Sequence, residues 1–154
     1  MTRIAYLSIF LLVAINNIFA HDPFSARFEL QANLKEGALL HVYLTQVSVH
    51  QTLINEFPEV DFESIEMDEY KKMVVNYMKD HMLIHGDDVE MEIGIGAIKL
   101  GSHQTELKLH IKNYPERVER LEVAIDAFSQ NKNQHTVFWW FTPDESDKIV
   151  LSAK

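Results

Sequence analysis

The stretch "HTVFWWFT" (residues 135–142) decides how this chain folds. Side chains on a strand alternate between two faces. Val137, Trp139 and Phe141 therefore take one side, and Phe138 and Trp140 take the other. Both sides are apolar. A strand of this kind is either covered on both faces or shows aromatic rings to a partner. The exposed reading assigns Phe138 and Trp140, with Tyr43 and His41 from an earlier strand, to a ligand or protein contact patch. Aromatic rings with polar handles dominate such surfaces.

Outward from this stretch the chain supplies partners for a sheet. "FSARFELQANL" (24–34) alternates, with Phe24, Ala26, Phe28, Leu30 and Ala32 opposite Ser25, Arg27, Glu29, Gln31 and Asn33, the pattern of a half-buried strand. "KEGA" (35–38) turns the chain, Gly37 being able to take positive φ. "LLHVYLT" (39–45) returns with Leu40, Val42 and Leu44 inward and His41 and Tyr43 outward. "SVHQTLINEFP" (48–58) predicts a short helix: Ser48 and Gln51 have capping-box spacing, Val49, Leu53, Ile54 and Phe57 form a stripe, and Pro58 ends it. "MDEYKKMVVNYMKDHM" (67–82) predicts a longer one, with Tyr70, Met73, Val74, Tyr77, Met78 and His81 at helical spacing.

Beyond residue 82 the period returns to two. "VEMEIGIGAI" (89–98) puts Val89, Met91, Ile93, Ile95 and Ala97 on one face, with Gly94 and Gly96 marking a bulge or a close approach over the sheet. "TELKLHIK" (105–112), "RLEVAIDAF" (120–128) and "DKIVLSA" (147–153) read as further strands. Two strands, two helices and then several strands, without βαβ alternation, predict an α+β fold. The expected form is an antiparallel meander of about seven strands with both helices inserted after the first hairpin.

The N-terminal segment carries Arg3, an apolar run from Ile4 to Ile15, polar Asn16 and Asn17, and small Ala20. That is the layout of a signal peptide over residues 1–20; its apolar run is too short to cross a membrane, which takes roughly 20 residues of helix. Residues 21–154 are then expected to form a single exported domain, periplasmic or secreted, with no membrane span after cleavage. The chain has no cysteine, so its core must suffice without disulfides. With 23 acidic residues against 14 Lys and Arg, its net charge is −9. An evenly acidic chain is a poor partner for nucleic acid or anionic lipid.

Over residues 21–154 the order of elements resembles a family of small exported bacterial domains of unknown function, found mainly in Bacteroidota. A post-cleavage histidine, a strand hairpin, the helix in "YKKMVVNYMKDHMLIHGDDVEMEI" (70–93) and the closing "HTVFWWF" hairpin carry the likeness. It implies a fold and no catalytic residues.

Cleavage before His21 frees an amine and an imidazole on one residue, which with a second histidine suit a copper-type site. His21 is thus the candidate metal ligand, and a periplasmic copper-binding protein is the alternative reading. His81 and His85 stand four apart, but Met82 replaces the glutamate of a zinc-hydrolase motif, and the stretch reads better as a helix end followed by a hairpin. Asp87, Asp88, Glu90 and Glu92 lack calcium-loop spacing. No nucleophile elbow or phosphate loop is present. The sequence therefore predicts a non-enzymatic binding domain whose partner is a protein or a small ligand, with no cofactor beyond a possible copper.

Overall fold

Strands β1 (Ser25–Leu34) and β2 (Gly37–Thr45) pair antiparallel, Phe28 opposite Val42 and Leu30 opposite Leu40. They are the centre of the computed structural model, which describes residues 24–34, 37–94, 96–143 and 146–152. The expected signal peptide (1–20) and His21 lie outside the described residues. β2 alternates buried and half-buried positions along its whole length, as its period of two requires. Gly37, at φ 114°, opens it, a conformation that only glycine adopts without strain.

The chain then enters α1 (Gln46–Glu56) and α2 (Met67–Asp80). α1 buries Ser48, Val49, Thr52 and Leu53. Ser48 is not the helix cap that its spacing suggested: Thr45 holds that position without a side-chain bond. The Ser48 hydroxyl instead donates to Gln134 at 2.9 Å and accepts from Asn131 at 3.0 Å, and Asn131 also donates to Thr52. This buried polar cluster stitches α1 to the loop before the closing hairpin; every member has a partner, as burial demands.

α2 runs into β3 (Met82–Gly86), which turns back into β4 (Val89–Glu90). The two turn residues, Asp87 and Asp88, both have positive φ, at 49° and 70°, the geometry that matches the twist of a two-residue hairpin. Asp87 earns its place twice, because its carboxylate also accepts the backbone N–H groups of Glu119 (2.9 Å) and Arg120 (2.7 Å). β8 (Leu121–Ile125) follows that anchor and pairs with β3 on its other side, giving a three-stranded sheet β4-β3-β8.

The Glu119 and Arg120 amide donors hold the Asp87 carboxyl below its usual range. Depressed in the folded state, it stabilises above the unfolded value of about 3.9 and loses that contribution as pH falls further. Asp87→Asn should therefore melt below the parent at pH 7, and the gap should close on acidification below about pH 4. A gap independent of pH in thermal unfolding followed by circular dichroism would contradict this.

The large sheet has seven strands. β5 (Glu92–Ile93), β6 (Ala97–Leu100) and β7 (Gln104–Lys112) extend it beyond β2, while β9 (His135–Phe141) and β10 (Ser146–Ser152) extend it beyond β1. The α+β class stands, but the sheet is mixed. β9 runs parallel to β1, Phe28 beside Phe138 and Leu30 beside Trp140. Parallel neighbours need a long crossover, here everything from β2 to β8. β8, moreover, belongs to the small sheet.

One hydrophobic cluster joins the inner face of the large sheet (Phe28, Leu30, Leu40, Val42, Leu107, Leu109, Phe138) to α1, α2 and β3. Phe128 seals it from the loop after β8, its N–H bonded to the Tyr77 hydroxyl at 3.1 Å. Among the described residues no helix is long and apolar enough to cross a membrane.

Candidate functional site

Only one face of the large sheet carries the main core cluster; its opposite face is half-buried to exposed. The strand registers place this outer face in rows. One runs Lys148, Trp139, Glu29, His41, Lys108 across β10, β9, β1, β2 and β7. The next runs Val150, Val137, Arg27, Tyr43, Glu106. A third holds Ser146, Phe141, Gln31, Leu39 and His110.

Aromatic rings and cations interleave on these rows. The Trp139 and Phe141 rings stack 5.9 Å apart at an interplanar angle of 9°. Lys148 sits 5.1 Å over Trp139, and the Arg27 guanidinium 4.3 Å over Tyr43, both inside cation–π range. Arg27 also pairs with Glu29 at 3.1 Å. The His41 ring lies 6.4 Å from Tyr43. Its Nε2 is buried and has no hydrogen-bond partner among the described residues. Burial, aided by Lys108, depresses the His41 pKa, against Glu29 and Glu106, which pull it up.

At one end of this face lies an open trough of about 840 Å³, lined by Arg27, Tyr43, Val47, His103, His135, Val137, Trp139 and Lys148 among others. That volume falls in the range of small-molecule sites, roughly 300–1,000 Å³. Among the described residues no Asp or Glu lines it.

The four residues expected to share a patch do not form one surface. Tyr43 and His41 are on the outer face, as their alternation requires. Phe138 is 1% exposed, stacked on Phe28 at 6.5 Å in the core. Trp140 lies on the same side as Phe138, half-buried, its indole N–H donating to the Tyr114 hydroxyl at 3.1 Å. The reason is register: β1 aligns Phe138 and Trp140 with Phe28 and Leu30, the core-facing pair. Trp140 borders a separate cleft of about 520 Å³ shared with Tyr114, Arg117, Glu116, Glu119 and Asp147. Sequence reasoning placed Trp139 and Phe141 on the face opposite Trp140 and left them out of the patch; Arg27 and Lys148 were missed as its cations. Nothing in period-two alternation tells which side of an all-apolar strand is covered.

The metal candidates do not converge either. His21 lies outside the described residues. His81 closes α2, its Nδ1 2.9 Å from Asp126 and its ring 4.3 Å from that of Tyr77. His85, on β3, faces Glu90 at 3.9 Å. Among the described residues no group of three or more His, Asp or Glu side chains is placed to hold a metal ion. The acidic run is taken up in surface ion pairs, Asp88 on Arg120 at 2.5 Å and Glu92 on Lys112 at 2.6 Å. No known protein family matches the chain, and comparison with curated proteins finds no relative.

Proposed function

We propose that this is an exported, non-enzymatic binding domain that takes a protein or small-molecule partner on the outer face of its large sheet, with Trp139 and Tyr43 at the contact. The observation that carries the reading is the asymmetry of β9: on one side Thr136 and Phe138 are buried in the core and only Trp140, bonded to Tyr114, is half-buried, while on the other Val137, Trp139 and Phe141 are all half-buried. Stacked rings left beside a trough are the kind of rigid, amphipathic surface that anchors a partner. Export is supported by the leader pattern of residues 1–20; the likeness to small exported Bacteroidota domains belongs to the same proposal.

The two tryptophans supply an internal control, being adjacent in sequence and on opposite faces. Titration with the neutral apolar dye N-phenyl-1-naphthylamine should move the Trp139 indole N–H resonance in a proton–nitrogen correlation spectrum and leave that of Trp140 in place. Tyr43→Ala should weaken the dye about tenfold, a loss of about 1.4 kcal/mol, more than truncation of most contact residues costs. If Trp140 responds instead, or neither resonance moves, the outer face is not the binding surface.

A further inference from the structure

Resting on that reading of the outer face, we infer that its ligand is a small organic anion with an apolar body, its acid group held by Lys148 and Arg27 and its tail lying along Val137 and Trp139. The chain carries nine more acidic than basic residues, yet the trough lining contains Lys148, Arg27, His103 and His135 and, among the described residues, no carboxylate. A pocket of the opposite sign to its protein focuses one sign of charge.

The two fixed cations come from β10 and β1, the strands on either side of β9. Two strand spacings and a two-residue step along the strands separate their backbones by roughly 12 Å, a gap that two long side chains can close over one acid group. Lys148 makes no ion pair among the described residues. Arg27 shares its charge with Glu29, so Lys148 is the stronger contributor. Between them Val137 and the Trp139 ring give an apolar floor, and Val47, 54% exposed, forms part of the wall.

A polyanion fits poorly. Residues 56–69 hold seven acidic side chains and no Lys or Arg, and nucleic-acid affinity depends on many phosphate contacts at once. An acidic protein surface needs a broad complementary patch, whereas the cations here flank a concavity of small-ligand volume.

The test compares three soluble probes with one tail, octanoate, octyl glucoside and octyltrimethylammonium, added below micelle formation to the folded chain and read on the Trp139 indole resonance. Octanoate should bind at least about tenfold tighter than the glucoside, and the ammonium more weakly still, because a charge-assisted pair forms only with the anion. Lys148→Gln should remove most of the octanoate preference, lowering octanoate affinity far more than glucoside affinity, with Arg27→Gln smaller in effect; circular dichroism confirms that both variants fold. Equal affinities for all three probes would overturn the anion preference while the dye result keeps the binding face. A response to an acidic, aromatic-containing peptide that exceeds the response to octanoate would overturn the small-ligand assignment in favour of a protein partner.

Discussion

Phe138→Ala is expected to lower the stability of the fold by roughly 3–5 kcal/mol, the range for removing a buried aromatic ring. Phe138 is fully enclosed, its ring stacked 6.5 Å from Phe28 and its strand held between β1 and β10. The hole would open at the join of the parallel pair, where neither β1 nor β9 can move inward without losing its ladder, so collapse cannot recover much of the loss. Trp139→Ala, one residue along, removes a larger ring but one that is half-buried and faces away from the core. It should cost less than half as much and weaken dye binding by at least about tenfold, followed here by the fluorescence of the dye itself and its displacement by octanoate, since the indole resonance is lost with the ring. Urea unfolding of the two variants, with slopes compared to show that the unfolded state is unchanged, gives the answer. Similar losses for both would mean that the outer face is covered and would remove the basis for a binding role.

The opposition of those two neighbours was legible in the sequence; which of them faced the core was not. Period-two alternation assigns side chains to two faces but carries no label for the buried one when both are apolar. On β1 and β2 the label was present, because Arg27, Glu29 and His41 mark the wet side, and there Ala26, Phe28, Leu30, Leu40, Val42 and Leu44 are buried as expected, Phe24 and Ala32 at the ends being half-buried. The direction of β9 was also invisible, since alternation is the same in parallel and antiparallel pairs. One hint existed: a strand apolar on both faces suits an interior position in a sheet, and β9 does lie between β1 and β10. The placement of β8 depended on Asp87, whose bonds to Glu119 and Arg120 span more than thirty residues. Local reading of an acidic run sees only solvated charge.

The candidate site was legible by half. Tyr43 and His41 were placed outward from their own strand's pattern. Arg27 and Lys148 belong to strands more than a hundred residues apart and meet the aromatic rings only through the β1–β9–β10 register. Ser48 fails for a related reason: its spacing to Gln51 imitates a helix start, while its real partners, Gln134 and Asn131, lie 86 and 83 residues away. A local motif and a tertiary network compete for the same hydroxyl, and burial decides in favour of the network.

Gly96→Ala tests the point at which the sequence pattern itself shifts phase. The stretch from Ile93 to Ala97 matches Ile111 to Lys108 on β7, so four residue steps on one strand face three on the other. This one-residue bulge reverses the alternation: Ile93 is buried, but Ala97, expected on the same side, is exposed, and Ile98 takes over the inner face beside Leu107. The bulge brings the Gly96 backbone against β7, where a methyl group would overlap the Lys108 carbonyl oxygen at 1.4 Å. A contact that short involves backbone on both sides, so no rotamer change relieves it and the strands must part. Overpacking of this kind costs roughly 1–3 kcal/mol. Because β6 is a four-residue strand at the sheet margin, the loss should take the form of peeling: amide exchange should accelerate at Ala97–Leu100 and leave β1 and β2 protected. Gly94→Ala is the control, since its added carbon would lie 3.1 Å from the His110 carbonyl oxygen, a distance that a few tenths of an ångström of movement relieves. If Gly96→Ala proves as stable as Gly94→Ala, with β6 amides equally protected, the strand does not lie against β7 in this register and the phase shift must arise elsewhere.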